Sequence, residues 1–388
     1  MLQKLPPDHW LRLTMVGFIS TAGLGIITIL PLILGGLQEQ YDFSKALIGW
    51  FAAINIVGIA MGGLIAAFVI QRVGLVRLTQ IGLLGLLVFE IWSVLNLGAP
   101  YLLVLRFAAG IFAGVAYAAS LTAFAALEKP VKGYSMYILV FCLLSAIIFP
   151  FMPNLLRTYG LEAGFVFLIA MVFFALLMTP FLDVFQQNED TEKTASFELS
   201  SLMRNPTIWL VLVAYYALQT SGGAVWAYIE LIGQAKMLSE NFIANTLSLG
   251  NLVVIPFAMA IYWINDRKGL ALPIFGGLTV LVASLLALYF TSNSWIYGIS
   301  TIAYLGVWPF LIAFYQSIQA QHDPQGKVIA LGAFINMMGQ ATGPALAAMF
   351  LGNQPYVNIV ILALVGLGLS LICILPSILK LESKTTVN

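Results

Sequence analysis

Three ionisable side chains sit where an otherwise apolar sequence offers them no water: Glu90, Arg106 and Glu230. A charge within hydrocarbon costs at least about 2.5–3.5 kcal/mol on insertion scales, so each needs a partner or a task. Glu90 lies eight residues before Gly98 and Arg106 eight after it. With a tight turn at Gly98 the two reach a similar depth and can form an ion pair. That pair can be structural, can serve proton coupling or can attract a solute, and spacing alone allows all three. Glu230 has no basic residue within a helical turn. It shares a stripe with Gln219 and Trp226 at spacings of seven and four, which puts all three on one helix face. Gly222 and Gly223 lie between them and read as a break that lets backbone groups face a cavity. A carboxyl so placed can exchange protons. Alternatively, six residues before Lys236, it reaches water at the outer end of its helix.

Neutral hydrogen-bonding and aromatic residues recur at helical spacing around these charges. Thr21 and Thr28 align in one apolar run, Tyr117 follows Arg106 and Gly110 in another, Tyr304, Trp308 and Tyr315 share a third, and Asn336 and Gln340 a fourth. Each aromatic can also face lipid or a membrane interface. Taken together they describe a pocket of aromatic and hydrogen-bonding groups with little fixed charge. Such a pocket suits a small neutral, weakly charged or amphipathic organic solute better than a phosphate. Cys142 and Cys373 fall inside apolar runs, which argues against a disulfide or a cysteine metal site. No metal-ligand cluster and no Ser/His pair at a shared depth point to an enzyme. Gly326-Lys327 alone makes no phosphate loop of an ATP-driven pump. No metal and no cofactor are expected.

The elements that position these groups follow from composition. Of 388 residues, 61% are hydrophobic and 9% charged, against about 45–50% and 25% in soluble domains. Apolar stretches of spanning length recur along the chain. They predict twelve spans near 10–36, 46–70, 77–97, 101–126, 134–156, 164–185, 207–235, 242–264, 270–290, 295–319, 328–350 and 356–380. The first run is too long for a signal peptide and is expected to remain as a span. With both termini cytoplasmic, Lys4, Arg12, Arg72, Arg77, Lys129, Lys132, Lys193, Arg204, Arg267, Lys268, Lys327, Lys380 and Lys384 fall inside, and only Lys45, Arg157 and Lys236 outside. Retention of positive charge on the cytoplasmic side favours that orientation. A net charge of +1 gives no footprint for nucleic acid.

A polar stretch around 187–206 divides the chain six spans plus six, giving an N-terminal bundle over 1–186, a cytoplasmic linker and a C-terminal bundle over 207–388. Weak internal matches share an offset of about 195 residues: Arg72-Val73-Gly74 with Arg267-Lys268-Gly269, Gly82-Leu83 with Gly277-Leu278, and Ser145–Pro150 with Gly339–Pro344. Two related halves are the internal symmetry of secondary transporters.

These motifs resemble those of the major facilitator superfamily. Gly62, Gly63, Arg72 and Gly74 match its loop between spans 2 and 3, with Gln71 and Leu75 departing from the usual Asp and Arg; Asp266-Arg267-Lys268-Gly269 is the second copy. Arg106, Gly110 and Gly114 resemble the family's motif in span 4. Gly339, Gly343 and Pro344 resemble the Gly-x-x-x-Gly-Pro of many drug antiporters, which that group carries in span 5; here span 5 keeps only Pro150, beside Ser145 and Phe149. The resemblance implies an all-α membrane protein of twelve transmembrane helices in two pseudo-symmetric six-helix bundles. It implies a monomeric secondary transporter of a small-molecule substrate, proton-coupled and resident among membrane lipid, in a bacterial inner membrane. Arg72, Gly74, Asp266, Arg267 and Gly269 would latch the inner helix ends, or the basic residues would only fix topology. Drug or metabolite efflux, and a non-transporting sensor on the same fold, remain alternatives.

Overall fold

The computed structural model describes residues 6–127, 130–186, 205–265, 270–290, 293–322, 327–350 and 355–385. Residues 187–204 of the predicted linker and the second loop motif (Asp266, Arg267, Gly269) lie outside them. In hydrocarbon a backbone must satisfy its own hydrogen bonds, and apolar runs of this length therefore fold as helices. The chain forms two compact units dividing near residue 194.

The first unit holds α1 (Trp10–Gly23), α2 (Gly25–Tyr41), α3 (Lys45–Val73), α4 (Leu75–Val94), α5 (Leu102–Ala125), α6 (Pro130–Ile148), α7 (Met152–Tyr159) and α8 (Glu162–Met178). The second holds α9 (Pro206–Ala235), α10 (Glu240–Asn265), α11 (Ala271–Phe290), α12 (Ser294–His322), α13 (Lys327–Phe350) and α14 (Pro355–Thr385). Among the described residues eight helical segments are long and apolar enough to span. Two bent pairs pass the same test together, α1 with α2 at 42° and α6 with α7 at 53°. The second bend follows from Pro150 and Pro153, which offer no amide hydrogen to continue the ladder. With α10 and α13, of 26 and 24 residues, each of the twelve predicted spans has its helix.

Polarity is distributed inside out. Phe68, Leu95, Ile372 and Leu177 are exposed, whereas Asn55, Glu90, Arg106, Gln219 and Glu230 are buried. A solvated surface of that kind would aggregate, and lipid is its natural neighbour. Exposed Trp50, Trp92, Tyr101 and Tyr159 cluster at one end of the first unit's helices, and Trp10 and Tyr134 at the other, as interfacial belts do.

Glycines decide how closely the rods approach. In the first unit α5 is central. A Cβ on Gly58 or Gly110 would sit 3.0 Å from the other residue's Cα, and one on Gly62 would lie 2.9 Å from Val115 N. The α3 and α5 backbones are therefore in direct contact through two small-xxx-small pairs. Gly82 of α4 and Gly23 of α1 press on α5 in the same way, at Ala116 Cα and Tyr117 N, each 2.9 Å from an added Cβ. Ser20 and Ser120 hydroxyls bond between α1 and α5 at 2.8 Å. In the second unit α9 is the core helix. Gly339 of α13 would place a Cβ 2.8 Å from Tyr216 O, and Gly366 of α14 would place one 3.0 Å from Ala217 O.

Candidate functional site

Glu90 on α4 and Arg106 on α5 meet across the turn that contains Gly98. Arg106 donates through Nη1 to Glu90 Oε2 at 2.7 Å and through Nη2 to Oε1 at 2.9 Å, a bidentate fork. Nη1 also reaches Ser93 Oγ at 3.3 Å. Side-chain exposure is 0% for Arg106 and 3% for Glu90, so neither charge reaches bulk water. The guanidinium lies 5.8 Å from the Phe51 ring centroid and 5.5 Å from that of Phe165, within the range of cation–π attraction. Asn55 of α3 donates through Nδ2 to the Arg106 carbonyl at 2.8 Å. Neither the aromatics nor Asn55 was singled out from sequence, although a lone Asn in an apolar span is itself a signal.

In the second unit four of the expected cavity residues converge. Trp308 Nε1 of α12 donates to Gln219 Oε1 of α9 at 2.9 Å, and Gln340 Nε2 donates to Asn336 Oδ1, both on α13, at 3.0 Å. Gln219 Nε2 donates to the same Asn336 oxygen. Three helices thus share one uncharged chain of amide and indole groups. Gln219 is fully buried, while Trp308, Asn336 and Gln340 are half-buried and keep accessible surface. The glycine pair that reads as a break turns out to serve packing. α9 runs unbroken over Pro206–Ala235; Gly222 makes room for the Trp308 ring and Gly223 for the α13 backbone at Gln340. Continuity wins because tertiary packing fills the space that two missing side chains leave.

Glu230 stands apart from that cluster. Eleven residues beyond Gln219, it sits about 16 Å further along α9 at 1.5 Å per residue. It is 4% exposed, so the carboxyl does not simply reach bulk water. Gln234 Nε2 donates to its Oε1 at 3.4 Å, and the hydroxyl of Tyr297 of α12 donates to the neighbouring Ile229 O at 2.9 Å. Lys236, just past the helix end, is partly buried, and burial draws its ammonium below the usual lysine range.

The remaining expected cavity residues stand outside that hydrogen-bonded chain. Thr21 and Thr28 are fully buried, and their hydroxyls donate to their own helix at Gly17 O (2.8 Å) and Gly25 O (2.5 Å), the local bond that threonine prefers in an apolar helix. Tyr304 is buried with its hydroxyl 3.4 Å from Ser221 Oγ. Tyr315 ties α12 to α14 through Ser370 Oγ at 2.7 Å, and Ser370 donates on to Ala214 O at 2.8 Å. Trp226 is buried a turn before Glu230. Tyr117 is half-buried, its ring 5.8 Å from that of Tyr137. Of the latch residues, Arg72 is exposed on the last turn of α3. Gly74 caps that helix at φ 84, a conformation that favours glycine, its N–H donating to Ile70 O at 2.8 Å. Arg12, which sequence places only as a topology charge, is buried and donates to Phe181 O at 2.7 Å. Among the described residues no cluster of His, Cys, Asp and Glu could hold a metal.

The sequence model of the Major Facilitator Superfamily matches residues 13–344. The chain belongs to this superfamily. Its members are membrane transporters, which makes this a multi-pass transporter and not an enzyme. No curated protein matches the sequence. Solved structures share the superfamily fold at low identity. The nucleoside transporter NupG (D323A mutant) is 11% identical at a TM-score of 0.76, covering 95% of this chain and 98% of its own. A D-xylose-proton symporter is 14% identical at 0.73, over 93% and 97%. A bacterial homologue of the human drug peptide transporters PepT1 and PepT2 is 10% identical at 0.73, over 98% and 99%.

Proposed function

We propose that this superfamily member is a monomeric secondary active transporter that moves a small, uncharged or weakly charged organic solute by alternating access, coupled to protons. Both termini and the 187–206 linker lie on the cytoplasmic side of a bacterial inner membrane in this reading, with the two loop motifs as latches on that side. The observation that carries it is the chain Trp308–Gln219–Asn336–Gln340, three of whose members keep accessible surface. Neutral donors and acceptors beside an indole recognise hydroxyl, carbonyl or amide groups and aromatic or pyranose faces, and offer no cation to a phosphate. Nucleosides, a pentose and peptides, for which the structural neighbours are named, all carry such groups, and one of those neighbours is named as a proton symporter.

A thermal-shift screen of the purified protein against a broad solute library, followed by pH-gradient-driven flux of each hit in proteoliposomes, tests this reading. Hits that bind and never cross would replace it with a sensor. Once a solute is found, Trp308→Phe keeps a ring beside Gly222 and removes the donor to Gln219. Its Kd should rise about 5- to 30-fold, the effect of 1–2 kcal/mol from one unmet hydrogen bond; an unchanged Kd places the solute elsewhere.

Glu230 is the proton-exchanging group in this proposal, because it is a carboxyl buried inside its span with an amide, Gln234 Nε2, bonded to it. Glu230→Gln should abolish accumulation against a gradient, leaving the internal solute at the external level, while solute counterflow persists. Retention of pH-driven accumulation by this variant excludes Glu230 as the carrier.

A further inference from the structure

A narrow cavity inside the first unit adjoins the Glu90–Arg106 pair. Asn55, Glu90 and Arg106 are its polar lining, and Gly23 and Gly25, at the break between α1 and α2, and Leu86 of α4 also line it. Its volume is about 10 Å³, close to the space one water molecule needs.

The polar lining offers two atoms that no protein group satisfies: Arg106 Nε and Asn55 Oδ1, both fully enclosed. The rest of each side chain is committed. Arg106 spends its terminal nitrogens on Glu90 and Ser93, and Asn55 spends Nδ2 on the Arg106 carbonyl. That last bond fixes which end of the amide is oxygen, because a carbonyl can only accept. What these two lining residues leave unmet is therefore one N–H donor and one carbonyl acceptor.

We propose that this cavity is an internal water site, in which the water accepts from Arg106 Nε–H and donates to Asn55 Oδ1. Competing occupants fail on chemistry. Chloride can accept from Nε but has no hydrogen for Oδ1. A sodium or potassium ion would suit Oδ1 and would be repelled by the guanidinium beside it. A molecule with both functions and the size of one oxygen is water. Leaving both atoms unpaired in a lipid-embedded bundle carries the desolvation penalty of each, and polar cavities of this size hold conserved waters where apolar ones stay dry. Asn55 is thus a positioning residue: it holds α5 through the Arg106 carbonyl and hydrates the ion pair from the α3 side.

The experiment is a structure of the full chain in lipid nanodiscs at a resolution that shows bound water, paired with NMR of ¹⁵N-arginine-labelled protein. Expected are a single density peak within hydrogen-bond distance of both atoms and an exchange cross-peak between Arg106 Nε–H and water. Asn55→Leu should abolish both signals while Glu90 and Arg106 stay paired. Absence of the peak in wild-type maps that resolve other buried waters, or an Asn55 amide turned so that Oδ1 points away, overturns the proposal. The wild-type measurements decide it even if the variant fails to fold.

Discussion

Arg106→Leu should destabilise the protein by about 3–5 kcal/mol, the usual consequence of removing one member of a buried ion pair. The loss comes less from the vanished attraction than from Glu90, which would be left without its cation in a site with 3% side-chain exposure. Glu90→Gln should cost a similar amount, because the guanidinium would then lie between Phe51 and Phe165 with no counter-charge. Replacing both by leucine removes both charges and should recover most of the stability, since apolar substitutes for a whole buried pair are often neutral or better. Thermal unfolding of the four proteins in one detergent forms a double-mutant cycle. Additive losses, or a single variant costing less than about 1 kcal/mol, would mean that bulk water screens the pair in the dominant conformation.

That ion pair was legible in the sequence because two charges spaced equally about a turn have few alternatives in hydrocarbon. The spans were legible for the same reason: about 20 apolar residues leave the backbone no option but a helix. Faces were harder. Periodicity puts Thr21 and Thr28 on one stripe, yet it cannot say that their hydroxyls spend their hydrogens on Gly17 O and Gly25 O. Gly222 and Gly223 illustrate the same gap. Two adjacent glycines weaken a helix when nothing covers them, whereas here the Trp308 ring and the α13 backbone occupy the space, and no local signal announces those partners. Arg12 shows the reverse error. A basic residue near a span end reads as a topology marker, and its burial against Phe181 O depends on a segment far along the chain. The amide cluster was half legible: its members were named from separate stripes, but which stripes face one another is a property of packing.

Gly62 and Gly63 present the sharpest separation of two residues that sequence treats alike. Both match the superfamily's span-2 glycines, and both sit in the middle of α3. An added methyl on Gly62 would overlap the Ile111 carbonyl oxygen and lie 2.8 Å from Ile111 C and 2.9 Å from Val115 N. Those are backbone atoms of α5, and they cannot turn aside as a side chain would. Relief requires the two helices to part, which breaks the contacts at Gly58, Gly110 and Gly114 together. On Gly63 the same methyl meets only Ala118 Cβ at 3.9 Å, an ordinary contact, and alanine is favoured over glycine in a helix by about 1 kcal/mol. Gly62→Ala should therefore cost at or above the about 1–3 kcal/mol usual for overpacking, with a large loss of monodisperse protein on size exclusion. Gly63→Ala should be neutral or mildly stabilising. Equal behaviour of the two variants would mean that α3 and α5 do not touch through Gly62. The α3 to α5 contact that seats Asn55 against Arg106 would then need a different geometry.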